Sequence, residues 1–322
     1  MPETGLVIAG DIGGTKSLLG AFTPARAAHV PVCEARYDNG KYAGIEEVLS
    51  AFIKDNALKG VSAACLALAC PIEDNRGTLT NRNWRVDAET LAERFGFARV
   101  SLINDLVATA IGSLYLQPGD VHVLQQGRSR PGNRALIAAG TGLGEAALFW
   151  DGHAHIPSAS EGGHADFAAR TDIEMELLAR LTGRYGHVSY ERVLSGAGLE
   201  AVYSFLAYRH DGSDQALTAS VIVDEALNKG SVLCSEALDL FVSVYGAEAG
   251  NLALKTMAAG GIYIGGGIAP KILKALQNGG FIKAFRDKGR FAGWLSEIPV
   301  SVIMNEKTAL LGAARHAAGI KG

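Results

Sequence analysis

Apolar runs, glycine turns and amphipathic stretches alternate along the chain. Leu6-Val7-Ile8-Ala9 is a short apolar run that ends in Gly10-Asp11-Ile12-Gly13-Gly14, and Ser17 to Phe22 is mostly apolar again. That order predicts strand, tight turn, strand, because a buried strand reads as continuous apolar sequence and glycines mark where the chain reverses. A further strand is expected near Val30 to Tyr37 and a helix around Ile45 to Lys54. Ala63 to Ala69 is apolar throughout and stops at Pro71, the pattern of a strand covered on both faces. Val86 to Phe95 reads as a helix with Asp87 as its start signal. Val100 to Ile103 reads as a strand running into Asn104-Asp105, with a helix from Leu106 to Leu114 behind it. Strands alternating with helices make this half α/β.

The opening device then recurs. Gln125 to Asn133, with Gly127, Arg128, Ser129, Arg130, Pro131 and Gly132, is the linker candidate. Beyond it, Ala135 to Ala139 predicts a strand, Gly140-Thr141-Gly142-Leu143-Gly144 a turn, and Ala146 to Trp150 a second strand. From about Asp172 to Lys255 the pattern is mostly helical, with Leu233, Ala237, Leu240, Phe241 and Val244 on one helical face. A strand at Gly261 to Ile264 precedes Gly265-Gly266-Gly267, and a strand at Val300 to Met304 precedes a helix from Lys307 to Ala318. Two halves opened by the same strand–glycine–strand unit suggest an internal duplication. The expected domains are 1–125 and 134–322, with the C-terminal helix able to pack back on the first.

Composition narrows the classes. Of 322 residues 40 are glycine, about 12% against a usual ~7%. With no collagen period, that excess belongs in turns where backbone comes close to something. The net charge of -3 opposes a nucleic-acid binder, which usually carries a basic surplus. Cys33, Cys65, Cys70 and Cys234 form no C-x-x-C pair and read as buried hydrophobes of a reducing compartment. Met1 to Thr4 lacks the basic region of a secretory signal, and Thr256 to Pro270, the longest mostly apolar stretch, is too short to span a bilayer. The expectation is a cytoplasmic globular protein without membrane contact.

Glycine turns after buried strands point amides outward and remove Cβ atoms that would block a phosphate. Gly10 to Ser17 nearly matches the P-loop pattern, but Thr15 replaces its second glycine and a strand follows where a helix is required. Gly142 to Ala147 fits G-x-G-x-x-A yet also runs into a strand. A tight hairpin needs glycine whatever it binds. Three such turns, two of the same form, tilt the reading towards phosphate.

Asp11-Ile12-Gly13-Gly14-Thr15, Asn104-Asp105, Gly140-Thr141-Gly142 and Gly265-Gly266-Gly267 resemble the nucleotide-binding signatures of the hexokinase–actin–Hsp70 ATPase superfamily. Ser160 to Phe167, His187 to Gly196, and Leu79-Thr80-Asn81 before Trp84 narrow the resemblance to the bacterial glucokinase family, over nearly the whole chain. It implies a two-domain actin-like ATPase (ribonuclease H-like) α/β fold with a helix-rich second domain. Two positions depart from the family: Lys16, where asparagine is usual, and Glu145, where an apolar residue is expected. The cysteine-rich zinc motif of the sister group of sugar kinases and repressors is absent.

By position alone, Asp105 is as readily an N-cap for the helix behind it as a catalytic group. The resemblance implies that it is the general base on the 6-hydroxyl of glucose, with Asn104 donating to a sugar oxygen. Glu161 and His164, three apart, could be a solvated loop pair or could chelate adjacent hydroxyls; the resemblance assigns both to the sugar, with Glu191 and Asn81. Gly10, Asp11, Gly13, Gly14 and Thr15 would hold phosphate from one side and Gly140, Thr141 and Gly142 from the other, while Gly265, Gly266 and Gly267 would admit adenosine. Asp11 would stand near Mg²⁺ through water, since Mg²⁺ keeps much of its hydration shell. The implied reaction is ATP-dependent phosphorylation of glucose by a homodimer. The rivals are a kinase for another hexose, a sugar-sensing repressor, and a sugar- or nucleotide-binding protein without turnover. A first strand beginning at Leu6 leaves no expected room for the repressor's DNA-reading module.

Overall fold

The computed structural model describes residues 5–24, 30–79, 82–213 and 215–319. These form two compact units, one of residues 1–117, 153–159 and 305–322, the other of 118–152 and 160–304.

In the first unit, β1 (Leu6–Ile12) and β2 (Lys16–Phe22) form the expected hairpin, paired from Val7↔Phe22 to Ile12↔Ser17. β3 (Cys33–Asp38) follows, then α1 (Ile45–Asp55), β4 (Val61–Leu68), the short β5 (Ile72–Glu73), β6 (Arg76–Leu79) and β7 (Trp84–Asp87), α2 (Ala88–Phe95), β8 (Arg99–Asn104) and α3 (Asp105–Ser113). The main sheet has the order β3-β2-β1-β4-β8, with β1, β4 and β8 parallel. Alternation decides its two faces. Ile8, Ile12, Leu66 and Leu68 pack with Leu49 and Phe52 of α1, whereas Val7, Ala9, Ala63 and Cys65 pack with Ile111 and with Leu310 of the C-terminal helix, Thr308–Ala317. That helix crosses α3 glycine to glycine: a methyl at Gly112 would overlap the Thr308 carbonyl and one at Gly312 the Ala108 carbonyl. Asp87 caps α2 through the amides of Glu89 and Thr90. Val86, read from sequence as the first helical residue, instead lies within β7.

In the second unit, β9 (Val121–Gln125) forms a sheet edge and β10 (Arg134–Ala139) and β11 (Leu143–Trp150) repeat the hairpin. After β12 (His155–Ser160), which belongs to the first unit in all but its last residue, come α4 (Asp172–Tyr185), α5 (Gly196–Asp211), α6 (Ala219–Asp224), α7 (Val232–Thr256) and β13 (Gly261–Gly265). Short helices α8 (Leu273–Gln277), α9 (Gly280–Arg286) and α10 (Ala292–Ser296) then lead to β14 (Val300–Ile303). The strands run β11-β10-β13-β14-β9, with β13 parallel to both β10 and β14. α7 is buried nearly all round, which its alanines and glycines allow; a methyl at Gly246 would overlap the Phe281 carbonyl. Among the described residues no helix is long and apolar enough to cross a membrane.

Candidate active site

The first glycine turn is held from beneath. Gly13 donates its amide to the Lys16 carbonyl at 3.0 Å. Asn39, fully buried, donates through Nδ2 to the Gly13 carbonyl at 2.8 Å and accepts from the Ser17 hydroxyl at 2.7 Å. Its own amide reaches the Thr15 carbonyl at 3.0 Å. Arg82 adds a bond from Nε to the Gly14 carbonyl at 2.9 Å. The turn is thereby fixed with Thr15 and Lys16 exposed. At its base, burial pushes the Asp11 carboxyl up to about 6 against the opposing pull of the Arg36 guanidinium. A desolvated carboxyl of this kind gains from a nearby cation.

Asn104 and Asp105 divide two jobs. Asn104 is the cap of α3, its Oδ1 accepting from Leu106 at 2.9 Å and Val107 at 3.4 Å, while its Nδ2 donates to the Cys70 carbonyl at 3.3 Å. Asp105 is the first helical residue, and its Oδ1 accepts from the Leu106 amide at 2.9 Å. The cap that could have explained Asp105 is thus supplied by its neighbour. Register places the two acids on one edge: Asp11 pairs with Ala67, Ala67 with Ile103, and Leu68 with Asn104. β1 and β8 are separated by β4 alone, two interstrand spacings or roughly 10 Å across the sheet, and Asp105 follows two residues beyond the position level with Asp11, so both acids stand at the carboxyl ends of parallel strands. Ligand crevices of α/β sheets open at such ends. Asn81 lies outside the described residues.

In the second unit the turn at 140–144 meets the sugar-loop candidates directly. Gly140 donates to the Gly142 carbonyl at 2.8 Å and accepts from the Gly196 amide at 2.9 Å, which seats the start of α5 on the turn. The Glu191 carboxylate accepts from the Leu143 amide at 2.9 Å, and a methyl at Gly142 would overlap it. Gly162–His164 is one short 3-10 turn and Tyr190–Arg192 another. They are stitched together by Tyr190 donating to the Ala165 carbonyl and Phe167 to the Val188 carbonyl, both at 3.0 Å. A methyl at Gly163 would strike the Leu143 carbonyl, so this turn also rests on the start of β11. Glu161 and His164 are exposed, with Oε2 and Nε2 4.0 Å apart. Glu161, His164 and Glu191 therefore sit on adjoining turns beside Gly142.

Beside the same turn lies a cleft of about 570 Å³, lined by Gly140, Thr141, Glu200, Thr218, Ser220 and Lys271 among others. Gly266, at φ 82°, comes so close to Ala139 that a methyl would overlap the Ala139 carbonyl. Tyr245 of α7 joins the strand ends behind both glycine turns. Its hydroxyl accepts from the Ala139 amide at 3.1 Å and faces the carbonyls of Ile137 and Gly265 at 3.3 and 3.4 Å. Tyr245, Asn39 and Arg82 escaped sequence reasoning: each acts through backbone far away in the chain, and only a paired turn or helix register brings them there.

A family model described as glucokinase matches residues 8–320. The chain belongs to the glucokinase family. It is 40% identical to a glucokinase of Nostoc sp. over 97% of this chain and 99% of that one, and 35% identical to one of Pectobacterium atrosepticum over 99% of each. Among solved structures it is similar to a glucokinase from an Antarctic psychrotroph, with TM-score 0.89, 30% identity, and 98% and 99% of the two chains covered. Likeness in fold alone extends to a ROK family glucokinase from Streptomyces griseus solved with glucose and AMPPNP, at TM-score 0.64 and 21% identity. The fold is the two-domain actin-like kinase fold that the glycine signatures imply. Family membership sets aside two rival frames for the glycine turns, the P-loop and the dinucleotide fingerprint.

Proposed function

We propose that the chain transfers the γ-phosphoryl group of ATP to the 6-hydroxyl of glucose, giving glucose 6-phosphate and ADP. Membership of the glucokinase family supports the reaction, and the observation that carries the mechanism is the placing of Asp11 and Asp105 on one carboxyl edge of the parallel strands. Asp105 accepts the hydroxyl proton as the sugar oxygen forms its bond to the γ-phosphorus and the bond from that phosphorus to the β-bridging oxygen breaks. Asn104, already held by the helix it caps, offers its remaining N–H to a sugar oxygen. Glu161, His164 and Glu191 orient the ring hydroxyls, with Asn81 as the family resemblance implies. Positioning of this kind supplies much of the catalysis in phosphoryl transfer, which asks little covalent chemistry of the protein.

Gly13, Gly14 and Thr15 contact phosphate at the first turn, with Gly10 behind them inside β1, and Gly140, Thr141 and Gly142 contact it at the second. Gly265, Gly266 and Gly267, with the cleft beside Gly140, receive adenosine. The donor set near Asp11 fits Mg²⁺: one carboxylate whose burial favours a cation, leaving further coordination to phosphate and water. When bound, Mg²⁺ neutralises charge developing on the phosphate oxygens. We also assign the chain to the cytoplasm and to homodimers, the latter checked by light scattering. ADP release with Mg²⁺-ATP and glucose, mannose, fructose, N-acetylglucosamine or no sugar tests the assignment. Turnover with glucose is expected. Activity confined to another hexose would change the substrate, and no sugar-dependent ADP would leave a binding or sensing role.

A further inference from the structure

Glu145 breaks the apolar run of β11, and nothing in the mechanism above uses it. It is 2% exposed, paired in register with Ile137 and directed into the core with Leu143 and Ala147. Its Oε2 is pressed against Gly162 so closely that any side chain at 162 would overlap it. Its Oε1 is buried with no hydrogen-bond partner among the described residues. Glu248 of α7, fully buried, is close enough for its charge to act on the Glu145 carboxyl. The Glu248 oxygens are otherwise engaged by Asn251 Nδ2 at 2.7 Å and Lys255 Nζ at 3.1 Å. Two buried carboxyls against one lysine are satisfied when they share a proton, since a second unpaired charge is costly to bury. Asn251 also donates to the Tyr190 hydroxyl at 3.0 Å, so the cluster that meets Gly162 reaches the turn bearing Glu191 as well.

We propose that Glu145 is a positioning residue for the sugar: as a neutral acid shared with Glu248 it holds the Glu161–His164 turn in its sugar-binding shape, and it loosens that turn when it ionises. This rests on the assignment of Glu161, His164 and Glu191 to glucose. The charged and titratable groups around the pair are Glu248, Lys255 and Tyr245 on α7, Tyr190 on the neighbouring turn, and Arg170 and Lys288 beyond Glu248. Burial first, and the Glu248 charge second, push the Glu145 carboxyl up to about 8. The acid is therefore neutral below that value and ionised above it, where repulsion from Glu248 is transmitted to Gly162.

The test compares the wild-type protein with Glu145→Gln, a neutral isostere of the protonated acid, in steady-state kinetics and glucose-binding calorimetry. In the wild type, KM and Kd for glucose are expected to rise about fivefold between about pH 7 and about pH 9, while KM for ATP holds. In Glu145→Gln, KM for glucose is expected to stay flat across the same range. Glu248→Gln, which removes the repelling charge and can donate to an ionised Glu145, is expected to flatten the rise as well. A variant profile parallel to the wild type, an equal rise in KM for ATP, or a wild-type KM that does not change would each overturn the proposal. Glucose affinity at about pH 7 tests the sugar assignment separately, because only the pH dependence reports on Glu145.

Discussion

Asp11 shows how one carboxyl can weaken the fold at the position where the proposed chemistry would need it. Its folded form keeps the proton to about pH 6, whereas the unfolded value is 3.8. The folded state thus binds the extra proton between those values, and stability falls as pH rises through that window. Asp11→Asn should therefore be more stable than wild type at neutral pH by about 3 kcal/mol, with the gap closing below about pH 4. Urea denaturation at both pH values measures this, and a gap independent of pH would show that burial is not the cause. At Asn104 and Asp105 the sequence offered a choice between cap and base; the structure gives the cap to Asn104. That assignment was not legible, because Asn and Asp are equally good caps and one residue of register separates the two readings.

At the scale of elements, the hairpins and parallel strands were plain in the apolar runs, and Asp87 marked the start of α2 as expected. The linker reading was less faithful at its first residue. Gln125 is not loop but the last residue of β9, 5% exposed, donating to the carbonyls of Leu295 and Ile298 and accepting from Arg286. A polar residue satisfied from distant backbone looks like loop until those partners are known. The β5-β6-β7 sheet was missed for a different reason: two to four residues per strand leave no period to read. Tyr245 is a third case, an element-scale brace on a helix buried nearly all round, where a tyrosine reads from sequence as packing alone. Tyr245→Phe leaves the buried Ala139 amide without its hydroxyl partner, so it should cost about 1–3 kcal/mol. It should also raise KM for ATP more than KM for glucose. Equal changes in both constants would make Tyr245 a general structural residue.

For the whole molecule, the repeated hairpin means that each unit presents a glycine turn at the end of a central strand, Gly13–Thr15 in one and Gly140–Gly142 in the other. The repeated hairpin was legible because the apolar-glycine-apolar pattern is local. Which distant segments join a unit, such as 153–159 with the first, depends on contacts that no local pattern encodes. The division of residues predicts a division of kinetic effects. Glu161→Gln, changing an exposed sugar-turn residue of the second unit, should raise KM for glucose about tenfold or more with KM for ATP little changed. Proportional changes in both would point to a folding defect.

Asp105→Asn tests the central claim most directly, because it removes the proton acceptor while keeping size and most hydrogen bonding. With kcat measured by ADP release and glucose affinity by calorimetry, the account predicts a kcat lower by about 10²–10⁴-fold and a nearly unchanged Kd for glucose. Near-wild-type turnover by the folded variant would contradict it and remove Asp105 from the chemistry.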